Sequence, residues 1–197
     1  MKKRIFIAIN LPEKLKEKLA EGQKEIDGSF AYFFGFSPIK WTKKDNLHVT
    51  LFFVGYLEIN DLTQVFDIVE GVANKTGIFD LKFKNIDYAP KGKMPPKMVW
   101  VNGERSAELG SLQKNLEAAL LEHSNLNLET ENNGFTPHIT LGRIVQWQWA
   151  RIEPEEIPEM NKDFFQMARI GSIEVMESEL KKGGAEYTIL KSFSLKQ

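Results

Sequence analysis

The pattern His-x-Thr-Leu occurs twice, as His48-Val49-Thr50-Leu51 and His138-Ile139-Thr140-Leu141, and uses two of the chain's three histidines. The copies lie 138 − 48 = 90 residues apart, close to half of the 197-residue chain. A strand alternates its side chains. His48 and Thr50 then share one face, while Val49, Leu51 and Phe53 take the other, apolar face. His138 and Thr140 share a face opposite Ile139 and Leu141. This is an internal duplication of one element rather than a solenoid repeat. Imidazole is the side chain whose unperturbed pKa lets it give and take protons near neutrality. If the two strands meet across a cleft, two imidazoles and two hydroxyls converge on an anionic substrate.

The pattern along the chain sets the fold class. Arg4 to Leu11 reads as a strand stopped by Pro12, and Pro12 to Asp27 as a helix with Gly28 after its end. Phe30 to Ser37 reads as a loop or packed turn. Ile39 to Thr42 and Asn46 to Gly55 read as strands, Asp61 to Lys75 as an amphipathic helix, and Phe79 to Tyr88 as a strand. Residues 89–96 form a basic Pro/Gly loop. A strand over Lys97 to Asn102 and a long helix over Glu104 to Asn125 follow, then turn chemistry at Asn132-Asn133-Gly134. Pro137 to Val145 is the second motif strand, and Ala150 to Met160 an acidic surface excursion. Phe165 to Leu180 reads as one long or bulged strand broken at Gly171, turning at residues 181–184 into Glu186 to Leu195. Short runs of strands with three main helices between them argue α+β with antiparallel sheets, not a doubly wound parallel sheet.

Composition narrows the partner. The net charge of −1 supplies no global basic field for long nucleic acid, so recognition of RNA would be local, at an end or a single nucleotide. There is no cysteine, hence no disulfide framework and no thiolate chemistry. No apolar run approaches the roughly 20 residues needed to cross a bilayer. The apolar run after Met1 is too short for a signal peptide, which fits a cytoplasmic location.

Two imidazoles and two hydroxyls suit in-line displacement at a phosphodiester. One imidazole removes a proton from water or a ribose hydroxyl, and the other protonates the departing oxygen. The Thr hydroxyls donate to the non-bridging oxygens, where charge grows in the transition state. Arg143 points away from His138 by strict alternation, unless a bulge at Gly142 turns it into the site; otherwise it is a surface arginine at a strand end. Zinc catalysis wants three close ligands, and no His-Glu-x-x-His or cysteine pair is present. There is no Walker or dinucleotide fingerprint. Pro137-His138-Ile139-Thr140 also fails as a histidine-triad motif, because Thr140 and Gly142 stand where histidines should. His123, near a helix end, reads as solvated or paired with the helix dipole. Phe30, Tyr32, Phe33, Phe34, Phe36 and Trp41 read as core more than as a base-stacking platform. Lys91, Lys93 and Lys97 are either a solvated loop or phosphate-steering cations. Trp147 and Trp149 are open between packing and substrate contact.

These residues resemble the 2H phosphoesterase superfamily, in its RNA 2′,3′-cyclic phosphodiesterase branch, also described as 2′-5′ RNA ligases. The resemblance covers nearly the whole chain. It is carried by Arg4-x-Phe6-x-Ala8-x-x-x-Pro12, by Trp41 through Gly55, by Lys97 to Val101, by Thr136 through Arg143, and by Glu177-Ser178-Glu179-Leu180 with Gly184-Ala185-Glu186-Tyr187. It implies one domain over residues 1–197 of two interleaved lobes: two pseudo-symmetric antiparallel sheets, helices outside, and a central cleft with one motif per lobe. It further implies opening of a 2′,3′-cyclic phosphate at an RNA 3′ end to a 2′-phosphate, without metal or cofactor, with reversible 2′-5′ ligation as a companion reaction. By motif, His48 resembles the proton donor and His138 the proton acceptor, Thr50 and Thr140 the phosphate-binding hydroxyls. The expected partner is such an RNA end or a nucleoside cyclic phosphate, with no membrane and no obligate protein partner. Two alternatives stay open: a phosphodiesterase for small cyclic phosphates, and a non-catalytic protein that binds RNA ends.

Overall fold

Ile5, Ile7 and Ile9 alternate along β1 (Lys2–Asn10) and are fully buried in the main core, while Phe6 and Ala8 turn to the opposite face and pack with Met176. This first strand is therefore two-sided. The computed structural model describes residues 2–123, 128 and 134–197. The expected turn at Asn132 and Asn133, the helix end beyond His123 and the His123 side chain lie outside the described residues.

The remaining elements follow in order: α1 (Glu13–Phe34), β2 (Ile39–Trp41), β3 (His48–Glu58), α2 (Leu62–Ala73), β4 (Phe79–Ala89), β5 (Met98–Gly103), α3 (Ala107–His123), β6 (His138–Ile144), the single turn α4 (Gln146–Trp149), β7 (Asn161–Ile170), β8 (Ser172–Lys181) and β9 (Gly184–Ser194). The strands run β7-β4-β5-β6-β3-β1-β8-β9, with β2 paired to β6 and every ladder antiparallel. This is the α+β class that the strand pattern predicts. The order has a centre. Four strands lie on each side of the β3–β6 junction, and that junction is one residue pair, Val49 with Ile139. The two expected sheets are thus halves of one continuous sheet, hinged between the middle residues of the two motifs. Beyond Ile139, β2 replaces β3 along β6, pairing Ile39 with Ile144 and Trp41 with Gly142.

Two sequence expectations are corrected. Helix α1 does not stop at Asp27 but continues through Gly28 to Phe34. Phe30 falls one turn after Ile26 on the buried stripe, and this burial outweighs the ~1 kcal/mol that a helical glycine costs. The stop is Gly35, whose φ of 71° closes the helix through its N–H to the Ala31 carbonyl. The stretch 165–180 is not one strand. β7 pairs with β4 at one end of the sheet and β8 pairs with β1 in the other half, so Gly171 marks the passage between halves.

Helix α1 covers the β4–β7 half. Gly22 approaches Ile86, and buried Gln23 donates to the carbonyls of Thr42 (2.9 Å) and Leu141 (2.8 Å). Helices α2 and α3 pack on each other; α2 lies against β8 and β9, and α3 against β3 and β4. Among the described residues no helix is long and apolar enough to cross a membrane.

Candidate active site

Antiparallel pairing of Val49 with Ile139 runs His48 toward Thr140 and Thr50 toward His138. Val49 and Ile139 are fully buried on the core side. The four motif side chains therefore occupy the corners of a square on the opposite face, around a local two-fold axis. Diagonal positions in such a pair are about 7–8 Å apart, and somewhat less at Cβ. The two imidazoles take one diagonal and the two hydroxyls the other.

Both strands leave the square by the same device. Ala8 pairs with Thr50 and Ile7 with Phe52, so Leu51 is an extra residue. Trp100 pairs with Thr140 and Val99 with Gly142, so Leu141 is an extra residue. A bulge resets the alternation. Phe53, expected on the apolar face, is instead 49% exposed on the face of His48 and Thr50, with Phe6 beside it at 6.3 Å between centroids. Val54 takes the core place that strict period two would give Phe53. Arg143 is at the equivalent position of β6, opposite Met98 as Phe53 is opposite Phe6. Burial of Ile139, Leu141 and Ile144 puts it on the His138 side. The bulge residue is Leu141, not Gly142. Gly142 is required by close approach instead: a Cβ there would come 2.6 Å from Cγ2 of Ile39. The Leu141 carbonyl accepts from both the Thr42 N–H (2.8 Å) and Gln23, which fixes the bulge. Arg143 itself is exposed and lies outside the lining of the motif cleft.

Each imidazole is held by the carbonyl two residues before it. His48 Nδ1 donates to the Asn46 carbonyl at 2.6 Å, and His138 Nδ1 to the Thr136 carbonyl at 2.8 Å. A proton spent on Nδ1 leaves Nε2 as the reactive nitrogen of both rings. His48 Nε2 accepts from the Thr50 hydroxyl at 3.0 Å. Asn10 and Asn102 stand at matching cross-strand positions beside His48 and His138.

The surroundings break the symmetry. Trp100 stands opposite Thr140, where the first half has Ala8 opposite Thr50. Phe6 and Tyr187 wall His48 at centroid distances of 5.0 and 5.2 Å. Burial pushes the His48 imidazole down to about 4. Its bond to the Asn46 carbonyl opposes the shift, and the charges of His138 and Lys16 add to it. Lys16 is itself buried, donates to the Asp45 carbonyl at 3.1 Å, and is held below the usual lysine range by that burial.

A cleft of about 1130 Å³ opens beside the square, with Thr50, Phe53, Trp100, Asn102 and His138 in its wall. Phe6, Trp100 and Tyr187 escape sequence reasoning as site residues, because nothing local ties them to the motifs, and Phe53 escapes it because strict alternation assigns it to the apolar face. Of the aromatic stretch, Phe30 is core and Phe34, Phe36 and Trp41 pack against it, whereas Tyr32 and Phe33 are exposed. Trp149 is buried against Tyr88; Trp147 is exposed, and neither lines the cleft. Lys91 and Lys93 line it and Lys97 does not.

Residues 39–182 match the family model described as the 2′-5′ RNA ligase superfamily. The RNA 2′,3′-cyclic phosphodiesterase of Methanocaldococcus jannaschii is 25% identical over 190 residues, covering 96% of this chain and 99% of its own. That of Thermotoga maritima is 26% identical, covering 95% and 92%. Among solved structures, TT0787 of Thermus thermophilus superposes with a TM-score of 0.80 at 25% identity, covering 98% of this chain and 97% of its own. E. coli LigT complexed with 3′-AMP superposes with a TM-score of 0.76 at 23% identity over the full length of both chains, a likeness of fold.

Proposed function

The chain belongs to the 2′-5′ RNA ligase superfamily, and from that premise we propose that it hydrolyses the 2′,3′-cyclic phosphate at an RNA 3′ end to a 2′-phosphate, with His48 and His138 as acid and base and no metal. The observation that supports the reading is the antiparallel register at Val49 and Ile139, which puts the two histidine positions on one diagonal and the two threonine positions on the other, with both rings bonded through Nδ1 so that Nε2 is left to react. A phosphorus at the centre of this square has an imidazole on each side, as in-line displacement demands, and a hydroxyl near each non-bridging oxygen.

In the proposed step His138 Nε2 takes a proton from water as the water oxygen bonds to phosphorus. The bond from phosphorus to O3′ breaks, and His48 Nε2 gives its proton to O3′. The phosphate stays on O2′. A 5′-hydroxyl in the place of water would turn the same displacement into 2′-5′ ligation. Burial leaves His48 neutral in the free protein near pH 7. A bound diester anion beside the ring favours the imidazolium, so His48 takes up its proton with the substrate. Its low intrinsic basicity then makes it a strong donor. Arg143 shares the face of His138 but not the cleft wall; we propose that it meets parts of the substrate outside the square.

The reading is tested by supplying an RNA oligonucleotide with a 2′,3′-cyclic phosphate end in the presence of a chelator. Turnover that disappears in His138→Ala supports it. Retention of the oligonucleotide without turnover by the wild-type protein would replace it with a binding role.

A further inference from the structure

Strand β7 ends the sheet and has a neighbouring strand on one side only, β4. It is ten residues long and contains no proline. Among the described residues no other backbone segment bonds to it. Its burial alternates without a break, although the ladder to β4 slips between Asp163 and Gln166. Lys162, Phe164, Gln166, Ala168 and Ile170 take the core side, which α1 covers: Lys18 donates to Gln166 at 2.6 Å, and Glu25 pairs with Lys162. Asp163, Phe165, Met167 and Arg169 take the other side, on which the cleft opens, since Asp163 stands opposite Asn85 of the cleft wall. Phe165 is 72% exposed and Met167 61%. Sheets ordinarily keep their edges short, charged or covered, because a long apolar edge is a template for one more strand.

The residues of that face say which strand fits. Let two copies of β7 lie antiparallel about a two-fold axis, with Gln166 opposite Gln166. Phe165 of each copy then faces Met167 of the other, and Asp163 faces Arg169. The run Asp163, Phe165, Met167, Arg169 is its own complement when reversed: acid meets base and aromatic ring meets thioether. Both kinds of cross-strand pair are favourable. Arg169 is available for it, touching Asp80 only through Nη1 at 3.7 Å. An axis at Phe165 would set Asp163 against Met167, and one at Met167 would set Arg169 against Phe165, so the charges select the axis at Gln166. We propose that β7 is a dimerisation edge whose occupant is β7 of a second copy of this chain in that register. The pairing satisfies backbone groups along the outer edge of β7. It is isologous and so closes at two copies. The joined sheet carries both clefts on one face, with β4, β5 and β6 between each motif junction and the interface, and the catalytic square takes no part in it.

Sedimentation equilibrium of the whole chain over a wide concentration range tests this. The wild type should be a reversible mixture of monomer and dimer with nothing larger. Asp163→Arg sets an arginine opposite Arg169, and Arg169→Asp sets an aspartate opposite Asp163. Each variant alone replaces two attractive contacts by two repulsive ones and should raise the dimer Kd roughly tenfold, with added salt narrowing the gap. An equimolar mixture of the two variants places the arginines of one copy against the aspartates of the other, and should dimerise about as tightly as the wild type. That rescue is not given by variants that merely fold badly. Met167→Lys, which puts a charge into the apolar pair, should be monomeric throughout while melting like the wild type. A wild type that is monomeric at every concentration would overturn the second copy as occupant. A dimer that neither charge reversal weakens, or a mixture no tighter than its components, would overturn the edge and its register. Species larger than a dimer would point to a head-to-tail contact and overturn the closed pairing.

Discussion

Trp100 lies face to face on His138, with ring centroids 3.7 Å apart and planes 19° apart, whereas His48 meets Phe6 at 41° and Tyr187 edge-on at 84°. Two residues of the same type in matching positions are thereby made chemically different. The Trp100 Nε1–H is buried and without a hydrogen-bond partner among the described residues, so the indole is held for its face and not for its donor. An imidazolium over an indole face is favoured by about 0.5–2 kcal/mol. The stack both fixes the plane of His138 and supports the charge it acquires on accepting a proton. Trp100→Leu should shift the acid limb of the pH dependence of kcat, which reports the complex in which His48 is already protonated, toward lower pH, by roughly half a unit or more, and lower kcat at neutrality. Trp100→Phe should fall between. A limb that stays put while kcat drops would leave Trp100 with a purely structural role.

His48→Ala and His138→Ala should each remove most turnover, by about 10²–10⁴-fold for a general acid or base. Since the two imidazoles act on one displacement, the double variant should be far less than multiplicatively worse. Circular dichroism spectra and melting profiles close to wild type would show that the fold survives. Wild-type-like turnover in either single variant contradicts the site.

His48 should titrate near 4 in the free protein, and NMR of its ring should show the value rising when a nucleoside 2′-monophosphate binds. Affinity for that anion should then weaken as pH rises through the bound-state value. The same shift has a stability consequence. The unfolded chain binds the proton at about 6.5 and the folded chain at about 4. Between those values the unfolded state holds more protons, so stability falls as pH drops, by up to about 3 kcal/mol across the window. His48→Gln should flatten that part of the pH–stability curve. A wild-type curve already flat from about pH 6.5 to 4 would show that the imidazole is not desolvated.

Much of this was legible in the sequence, and what was not has one physical origin. The doubled His-x-Thr pattern is local, so strand identity and the sharing of a face by His and Thr follow from period two. Phe53 and Arg143 violate that period because Leu51 and Leu141 are bulges, and a bulge is fixed by the partner strand and by contacts such as Gln23 to the Leu141 carbonyl, 118 residues away. Trp100 and Phe6 are invisible as site residues for the same reason: their relation to the histidines is cross-strand. Gly28 and Gly171 are alike on paper, yet one lies inside a helix and the other separates strands of opposite sheet halves. Burial of Phe30 decides the first case and strand pairing the second.

Thr50→Val and Thr140→Val keep shape and remove the hydroxyl. If these hydroxyls donate to oxygens whose charge grows in the transition state, kcat should fall more than substrate binding weakens. Thr50→Val also removes the donor to His48 Nε2, so it should alter the pH profile as well, and Thr140→Val less so. An effect confined to KM in both variants would mean that the hydroxyls bind ground state and transition state equally.

The most direct test of the two-imidazole displacement is phosphorus NMR of the product formed from a nucleoside 2′,3′-cyclic phosphate under exhaustive chelation, read beside authentic 2′ and 3′ monophosphates. The cyclic diester offers two leaving oxygens, and only the one opposite the attacking water and beside the acid departs. With His138 activating water and His48 protonating O3′, the product carries its phosphate on the 2′ position and forms without added metal. A predominantly 3′-phosphate product would reverse the assigned geometry, and turnover that returns only on adding a divalent ion would contradict the acid–base roles of both histidines.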